Sequence, residues 1–163
     1  MTPRSKRTGL IFLAEEQLEH IEGLINSALL SGGKSPEFIA RLRALKSEID
    51  KAKVVPGEKL PPDVVRIGSW VEIEDLGDGF VEQFQLVYPE YSDLSIGRIS
   101  LMTPMGIALV GEKAQTEVSY EAPSGPHRIF IRRVSAEPFG PVPEAAPYPK
   151  YPNAVSAPPT GVD

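Results

Sequence analysis

Two stretches near the N-terminus have the hydrophobic spacing of one-faced helices. Between residues 14 and 30 the apolar residues recur every three or four positions, along one side of a helix. They are Ala14, Leu18, Ile21, Ile25, Ala28 and Leu29. After a Gly-Gly break, Ser35 is suited to cap a second helix and Pro36 to begin it. The apolar residues of this helix form a heptad seam of Phe38, Leu42, Leu45, Ile49 and Ala52. Because the connection is short, the pattern predicts an antiparallel helical hairpin over residues 10–53, a short coiled-coil finger.

Residues 64–136 contain runs that are typical of β-strands. The predicted strands are Ser69–Asp75, Phe80–Tyr88, Arg98–Met102, Glu117–Ala122 and His127–Ser135. One short helix fits Pro104–Val110, and Gly111 is suited to end it. Sequential strands with a single helix predict an antiparallel β-sheet domain, so the predicted fold class of the chain is α+β.

The 17 prolines cluster in the segments that surround these two units. Residues 54–63 hold three prolines and a glycine and are expected to be a linker, and residues 1–9 are expected to be a flexible arm. Eight prolines fall in residues 137–163 with few large aliphatic residues, which predicts a disordered tail. Its segment Tyr-Pro-Lys-Tyr-Pro, residues 148–152, has the composition of a docking peptide in a polyproline helix. A solubilising tail is the simpler interpretation of the same composition.

Charge and cysteine content narrow the functional classes. The 163 residues carry a formal net charge of −5, so no overall positive field would hold the chain on nucleic acid or on an anionic membrane. Cysteine is absent, which excludes disulfides, thiol catalysis and cysteine-based zinc sites and fits a reducing compartment. The apolar run Leu10–Ala14 is too short for a signal or membrane helix, so we expect a cytoplasmic protein.

The sequence Ser-Gly-Gly-Lys-Ser at residues 31–35 resembles the end of a phosphate-binding loop. Such a loop also needs a strand before it and a glycine five residues before the Gly-Lys pair, where this chain has Ala28. We therefore interpret the segment as a hinge between two helices. His20 and His127 fit no metal-ligand spacing and no Gly-x-Ser-x-Gly elbow is present, so we expect no metal, no cofactor and no catalytic residue. Carboxylate pairs such as Glu72 and Glu74 fit the solvated face of a strand.

Residues 97–134 carry an ordered series of short motifs. These are Ile99-Ser100, Thr103-Pro104, Ala108-Leu109-Val110-Gly111 and Pro123-Ser124-Gly125. In order and spacing they resemble the C-terminal domain of the GreA/GreB family of bacterial transcription elongation factors, with a layout closest to the Rnk members. The family usually has Gly-Asp where this chain has Gln115-Thr116. With the helical hairpin, the resemblance covers about residues 10–135, and it implies that residues 64–136 form a domain with the topology of FKBP prolyl isomerases.

The resemblance implies a mechanism. In this family the C-terminal domain docks on RNA polymerase at its secondary channel, and acidic residues at the fingertip help the polymerase to hold a second Mg²⁺ for transcript cleavage. The fingertip here comprises Gly32, Gly33, Lys34, Ser35 and Glu37. Since Glu37 is its only acid, we expect a monomeric, non-enzymatic regulator that binds polymerase without stimulating cleavage. The docking residues implied by the resemblance are Asp93, Ser95, Thr103, Pro104, Met105 and Gly106.

Two other functions stay open at this point. An FKBP-like prolyl isomerase or peptide-binding module would need an aromatic-lined pocket. The aromatic residues available for it are Trp70, Phe80, Phe84, Tyr88 and Tyr91. A true Gre cleavage factor would need Glu37 and a second acid that the sequence does not identify.

Overall fold

The computed structural model describes residues 11–143, which form a mixed α+β structure. The predicted α+β class is thereby confirmed. The strands of the described part are β1 (Phe12–Ala14), β2 (Lys53–Val55), β3 (Trp70–Asp75), β4 (Val81–Val87), β5 (Arg98–Ser100), β6 (Thr116–Ala122) and β7 (Gly125–Ser135). The helices are α1 (Glu15–Leu30), α2 (Pro36–Asp50) and α3 (Pro104–Leu109). The predicted arm 1–9 and residues 144–163 of the predicted tail lie outside the described residues.

Helices α1 and α2, the helix pair, begin and end within two residues of their predicted limits. The Ser35 side chain accepts a hydrogen bond from the Phe38 backbone N–H at 3.1 Å. Ser35 is therefore the N-cap of α2, as predicted. The buried apolar residues of the pair belong to the same core cluster as those of the sheet and of α3. The pair is therefore packed onto the rest of the protein through a shared core.

The first half of α1 is attached to the sheet layer by polar contacts. The buried side-chain amide of Gln17 donates to the carbonyl of Ile67 and accepts from its N–H, both at 3.2 Å. One turn later the ring of His20 stacks on Tyr88, with 4.1 Å between ring centroids. The Glu16 carboxylate accepts a hydrogen bond from the Gly57 N–H at 2.7 Å. These contacts hold the start of the helix pair in one position on the domain.

The main sheet has five strands in the order β5-β4-β3-β7-β6. The prediction of a wholly antiparallel sheet is wrong at one edge, because β4 and β5 run parallel. The ten residues between these strands contain two 3-10 turns, Pro89–Tyr91 and Leu94–Ile96, which give the chain room to return before β5 begins.

A second, two-stranded sheet pairs β1 with β2 in parallel. Strand β2 and a 3-10 turn at Gly57–Lys59 occupy part of the stretch expected to be a linker. Three-residue strands are too short to produce a visible alternation, so the sequence pattern did not indicate them. No helix in the described part is long and apolar enough to cross a membrane.

A β-bulge on β7 places two arginines beside the same glutamate. Glu72 pairs with Arg133 and the next residue of β3, Ile73, pairs with Ile131, so Arg132 is the extra residue. The Arg133 guanidinium donates to both oxygens of Glu72 at 2.9 and 3.0 Å, and Arg132 Nε lies 3.4 Å from the same carboxylate. The hydrogen bond from Arg133 is the main cause that lowers the pKa of Glu72. As predicted, Glu72 lies on the face opposite the core-facing Ile73.

The outer face of the sheet also contacts the start of the predicted disordered tail. The Phe139 N–H donates to Gln83 Oε1 at 2.8 Å, and Gln83 Nε2 donates to the Gly140 carbonyl at 3.3 Å. The Arg133 guanidinium lies over the Phe139 ring at 4.4 Å from its centroid. Residues 139 and 140 are thus fixed beside β4 and β7.

Gln115 stands where the resembling family usually has glycine, and two hydrogen bonds compensate for its unfavourable backbone conformation. Its φ is +68°, in the left-handed region where a side chain is unfavourable. Its backbone N–H donates to the Ile131 carbonyl at 2.6 Å and its side-chain amide donates to the Arg132 carbonyl at 3.0 Å. These two bonds hold the turn in the conformation that glycine adopts without a steric penalty.

We expect Gln115→Gly to be more stable than Gln115→Ala by about 1 kcal/mol, because both lose the side-chain amide and only alanine keeps a Cβ at positive φ. Urea unfolding of the two variants measures this difference. Equal midpoints, with equal slopes, would show that the turn carries no backbone strain.

We expect Glu72→Gln to lower the free energy of unfolding by about 1 kcal/mol at pH 7. Because the folded pKa of Glu72 lies below its unfolded value, the stabilisation is complete above the unfolded pKa and is lost as the pH falls through the folded pKa. Unfolding curves between pH 7 and pH 2 should therefore converge for the two proteins at acid pH. Glu117→Gln is the control, since Glu117 has one arginine partner and that pair is exposed. A pH-independent difference would contradict the ionic explanation.

Candidate functional site

The loop between α1 and α2 has the geometry of a hinge. Gly32 and Gly33 have φ of +73° and +75°, and a Cβ on either would meet open space. The Lys34 ammonium donates to the Ser31 hydroxyl at 3.2 Å, and Ser35 caps α2. We call residues 31–37 the tip. Its glycines provide the left-handed backbone of a tight turn, and a helix rather than a strand precedes them.

Glu37 is exposed in the first turn of α2 and is the only acid of that turn. In residues 11–143 there is no group of three or more His, Cys, Asp or Glu side chains that could hold a metal ion. Lys34 precedes Glu37 by three residues and Arg41 follows it by four. The tip therefore presents one carboxylate within a locally cationic stretch.

Four of the predicted docking residues build the start of α3. The Thr103 hydroxyl accepts from the Gly106 N–H at 3.0 Å and donates to the Ser100 carbonyl at 2.8 Å, and Pro104 occupies the first turn. Gly106 is buried, and a Cβ there would collide with the Ser100 carbonyl oxygen. Met105 is half-buried against the core. Capping and packing thus account for these positions, and of the four only Thr103, Pro104 and Met105 retain accessible surface for a partner.

The other two predicted docking residues lie in an exposed turn before β5. Asp93 Oδ1 accepts from the Ser95 N–H at 3.1 Å and from its hydroxyl at 2.6 Å. The backbone of Asp93 pairs with that of Arg98, which fixes the turn to the edge strand. Leu94, which lies between Asp93 and Ser95, is 74% exposed. The sequence analysis did not include Leu94, although an exposed apolar residue inside a polar turn is a signal of a contact surface.

The structure places the two ends of this predicted surface on either side of β5. The Asp93 turn pairs with the first residue of β5, and Thr103 follows shortly after its last residue. A strand of three residues is only about 10 Å long, so the two ends can share one partner. The exposed Leu94 turn and the start of α3 together form the β5 surface, which we define as residues 93–95 and 103–105.

A groove of about 740 Å³ lies between α2 on one side and α3 with the end of β6 on the other. Residues that line it include Ala40, Ala44, Ile107, Ala108 and Tyr120, with Glu37, Arg41, Glu48 and Glu121 among the charged ones. We call it the α2–α3 groove. None of the five aromatic residues considered for a proline-binding pocket lines it. Trp70 and Tyr88 are buried, at 7% and 8% exposure.

The two histidines are apart and in unrelated settings. His20 stacks on Tyr88 between α1 and the sheet. A ring nitrogen of His127 lies 2.8 Å from the Ser124 hydroxyl in the exposed β6–β7 turn, where the ring also stacks on Tyr120. Burial is the main cause that raises the pKa of the Tyr120 phenol, which stays protonated at neutral pH.

The chain resembles known proteins both in sequence and in fold. Residues 60–136 match the family model described as "Transcription elongation factor, GreA/GreB, C-term". A transcription elongation factor GreA from Rhodospirillum rubrum is 30% identical over 120 residues, which cover 73% of this chain and 76% of that protein. The regulator of nucleoside diphosphate kinase from Escherichia coli K12 is 38% identical over 82 residues. That match spans 50% of this chain and 60% of that protein.

One solved structure agrees with the fold over most of its length. It is a prokaryotic transcription elongation factor GreA/GreB from Nitrosomonas europaea, with a TM-score of 0.63 and 29% identity. The match covers 78% of this chain and 99% of that one, so it includes the helix pair as well as the sheet. Sequence and structure agree on one assignment: the chain belongs to the GreA/GreB family of transcription elongation factors.

Proposed function

We propose that this protein is an RNA-polymerase-binding transcription regulator of the Gre/Rnk type that docks at the secondary channel and does not stimulate transcript cleavage. The charges of the tip support the second half of the proposal, that the protein does not stimulate transcript cleavage. It holds one exposed carboxylate, Glu37, next to the cation of Lys34. Membership of the GreA/GreB family supports the first half, that the protein binds RNA polymerase.

Metal chemistry explains why a single carboxylate matters. A second Mg²⁺ at the polymerase active centre would have to be held partly by ligands that the fingertip brings. Mg²⁺ is commonly bound through one or two carboxylates with ordered geometry, and a nearby ammonium group opposes its approach. Glu37 alone would contribute half of a two-carboxylate site, and Lys34 would weaken it further.

The reach of the helix pair supports the same conclusion. Helix α1 has 16 residues, which at 1.5 Å per residue corresponds to about 24 Å. Its first turns are held against the sheet by Gln17 and His20, so at most the remainder of α1 can project from the domain. Helix α2 lies beside α3 along the groove. A finger of this length, partly packed on its own domain, would remain near the channel mouth.

In this proposal the chain has three functional parts. Residues 10–53 are the finger, an antiparallel hairpin with a coiled-coil seam, and residues 64–136 are a docking domain of FKBP-like topology joined to it through residues 54–63. The protein acts as a monomer, without catalysis of its own and without sequence-specific contacts to nucleic acid, in keeping with its net charge of −5. The β5 surface is the part of the domain that binds polymerase.

We expect the protein to bind core RNA polymerase and leave the cleavage rate of stalled, backtracked complexes unchanged. It should also reduce the cleavage that an added Gre factor stimulates, because both would occupy one channel. Quantifying the released RNA fragments over time, at saturating protein, tests both statements. Failure to bind polymerase would overturn the proposal.

Glu37→Ala and Glu48→Ala are the matched variants for the same assay, since both glutamates lie on α2 and only Glu37 belongs to the tip. We expect both to behave as the parent protein. Cleavage that the parent stimulates and Glu37→Ala alone abolishes would instead identify a true cleavage factor.

We expect Leu94→Ala to weaken polymerase binding about tenfold, which corresponds to about 1.4 kcal/mol, because an exposed apolar side chain would be buried in the complex. Phe80→Ala is the matched control: Phe80 is 65% exposed but lies at the β3–β4 turn, outside the β5 surface. Both substitutions are at exposed positions and should change stability by less than about 0.5 kcal/mol. Titration of labelled protein against polymerase measures the affinities, and equal losses for the two variants would count against the β5 surface.

A further inference from the structure

Strand β6 forms one edge of the main sheet, and in residues 11–143 no strand pairs with its outer side. Within β6, Glu121 faces Pro126 of β7, and proline has no N–H to donate. Facing residues of an antiparallel pair either exchange hydrogen bonds with each other or direct their N–H and C=O groups away from the partner strand. The backbone groups of Glu121 therefore point out of the sheet edge, and by alternation those of Ser119 do the same.

These outward backbone groups can pair with a further strand. Within the described part of the chain, neither Ser119 nor Glu121 has a backbone hydrogen bond to a residue outside the sheet. An exposed edge of this kind is a template for one more strand, which would lie about 4.8 Å from β6. The edge can therefore accept an extended segment through main-chain hydrogen bonds.

The α2–α3 groove opens beside the last residues of this edge. Its lining includes Tyr120 and Ala122, whose side chains pack on the core side of β6, and also Glu121, whose side chain lies on the opposite face. On the other wall, Ala40 and Ala44 are exposed one helical turn apart on α2, and their small side chains leave the space. A strand added to β6 would place every second side chain in this groove.

Arg41 of the groove needs a hydrogen-bond acceptor. Its Nε–H is buried and has no hydrogen-bond partner within the described residues. The guanidinium lies 5.9 Å from the Phe38 ring centroid, which holds it beside α2. A buried N–H donor without an acceptor is unfavourable, so an occupant that brings a carbonyl oxygen, such as a peptide backbone, would be stabilised there.

Carboxylates around the groove select the side chains of the occupant. Glu37, Glu48 and Glu121 line it, and none of the three forms an ion pair within residues 11–143. Among the described residues that line the groove, Arg41 is the one cation. The local charge is therefore negative and favours a basic segment over an acidic one.

We propose that the edge of β6 and the α2–α3 groove bind an extended segment of a partner protein as an added strand. This segment alternates apolar and basic residues. Its apolar side chains enter the groove against Ala40 and Ala44, and its basic side chains lie on the other face of the sheet next to Glu121. The inference does not depend on polymerase binding, and the isolated full chain suffices to test it.

The peptide acetyl-Lys-Val-Lys-Val-Lys-Val-amide is the probe, and hydrogen exchange of ¹⁵N-labelled protein is the measurement. With saturating peptide, the amides of Ser119 and Glu121 should exchange at least about tenfold more slowly, because their outward N–H groups become hydrogen-bonded. The amides of Val118 and Tyr120 already bond to β7 and should change little. This alternation along β6 is the signature of an added strand.

Two control peptides separate strand addition from general attraction to an acidic protein. The peptide acetyl-Lys-Lys-Lys-Val-Val-Val-amide has the same composition without the alternation. The peptide acetyl-Glu-Val-Glu-Val-Glu-Val-amide has the alternation with the opposite charge. We expect neither control to protect the two outward amides.

Two pairs of substitutions locate the site. Glu121→Lys and Glu82→Lys both reverse an exposed carboxylate on a strand, but only Glu121 lines the groove. Ala44→Phe fills the groove, whereas Ser47→Phe adds the same ring at an exposed position of α2 that does not line it. Glu121→Lys and Ala44→Phe should weaken binding of the alternating peptide at least about tenfold, and the two controls should leave it unchanged. All four positions are exposed, so the variants should fold, and the dispersion of the amide spectrum verifies this.

Four outcomes would overturn the proposal. The first is no protection of the Ser119 and Glu121 amides at millimolar peptide. The second is a shift of the Ala40 and Ala44 signals without that protection, which would show an occupant that does not join the sheet. The third is equal protection by the control peptides. The fourth is protection in concentrated free protein that is lost on dilution, which would make a second copy of the chain the occupant.

Discussion

The position of the helix pair depends on one buried hydrogen-bonded exchange, between the side chain of Gln17 and the backbone of Ile67. Gln17 is only 3% exposed, so its amide must find partners inside the protein, and an unsatisfied buried amide is unfavourable by about 1–3 kcal/mol. Two hydrogen bonds join it to Ile67, which precedes β3. This contact fixes where α1 begins on the sheet. The stacking of His20 on Tyr88 and the groove beside α2 follow from that position.

Local chemistry explains why many elements were predictable from the sequence. The apolar spacing of α1 and α2 and the Ser35 cap are properties of a few neighbouring residues, and the structure has them at the expected positions. The alternation in β3 likewise indicated that Ile73 faces the core and Glu72 the solvent. Such features depend on interactions within one element, which a periodic pattern records directly.

Long-range pairing was the part that the sequence did not reveal. Whether β5 runs parallel or antiparallel to β4 depends on the path of the ten residues between them, and those residues carry no periodic signal. The pairing of β1 with β2 joins segments about 40 residues apart through strands of only three residues. Gln115 is intermediate: its difference from the family pattern was visible, but its positive φ needed the structure.

The candidate site likewise contains features that are visible in the sequence and features that only the structure reveals. The charges that stand close together at the tip can be read from the sequence, and the function inferred from them stays a prediction. Of the predicted docking residues, Gly106 is buried against Ser100, while Leu94, which the sequence analysis did not include, is exposed. Burial decides which residues of a short motif remain available to a partner, and burial at these positions is set by how α3 and β5 pack together.

Charge around Glu37 gives the clearest link from sequence to function. Lys34 precedes it by three residues and Arg41 follows it by four, and on a helix an acid four residues before a base is a favourable arrangement. Arg41, the cation that suits the helix, and Lys34, which precedes the helix, both make the carboxylate a poorer ligand for Mg²⁺, because they lower the local negative potential that attracts a divalent ion. Helix stability and metal binding therefore make opposite demands on this turn. The charges of this turn favour the helix over metal binding, and for that reason we propose a regulator without a metal-holding tip.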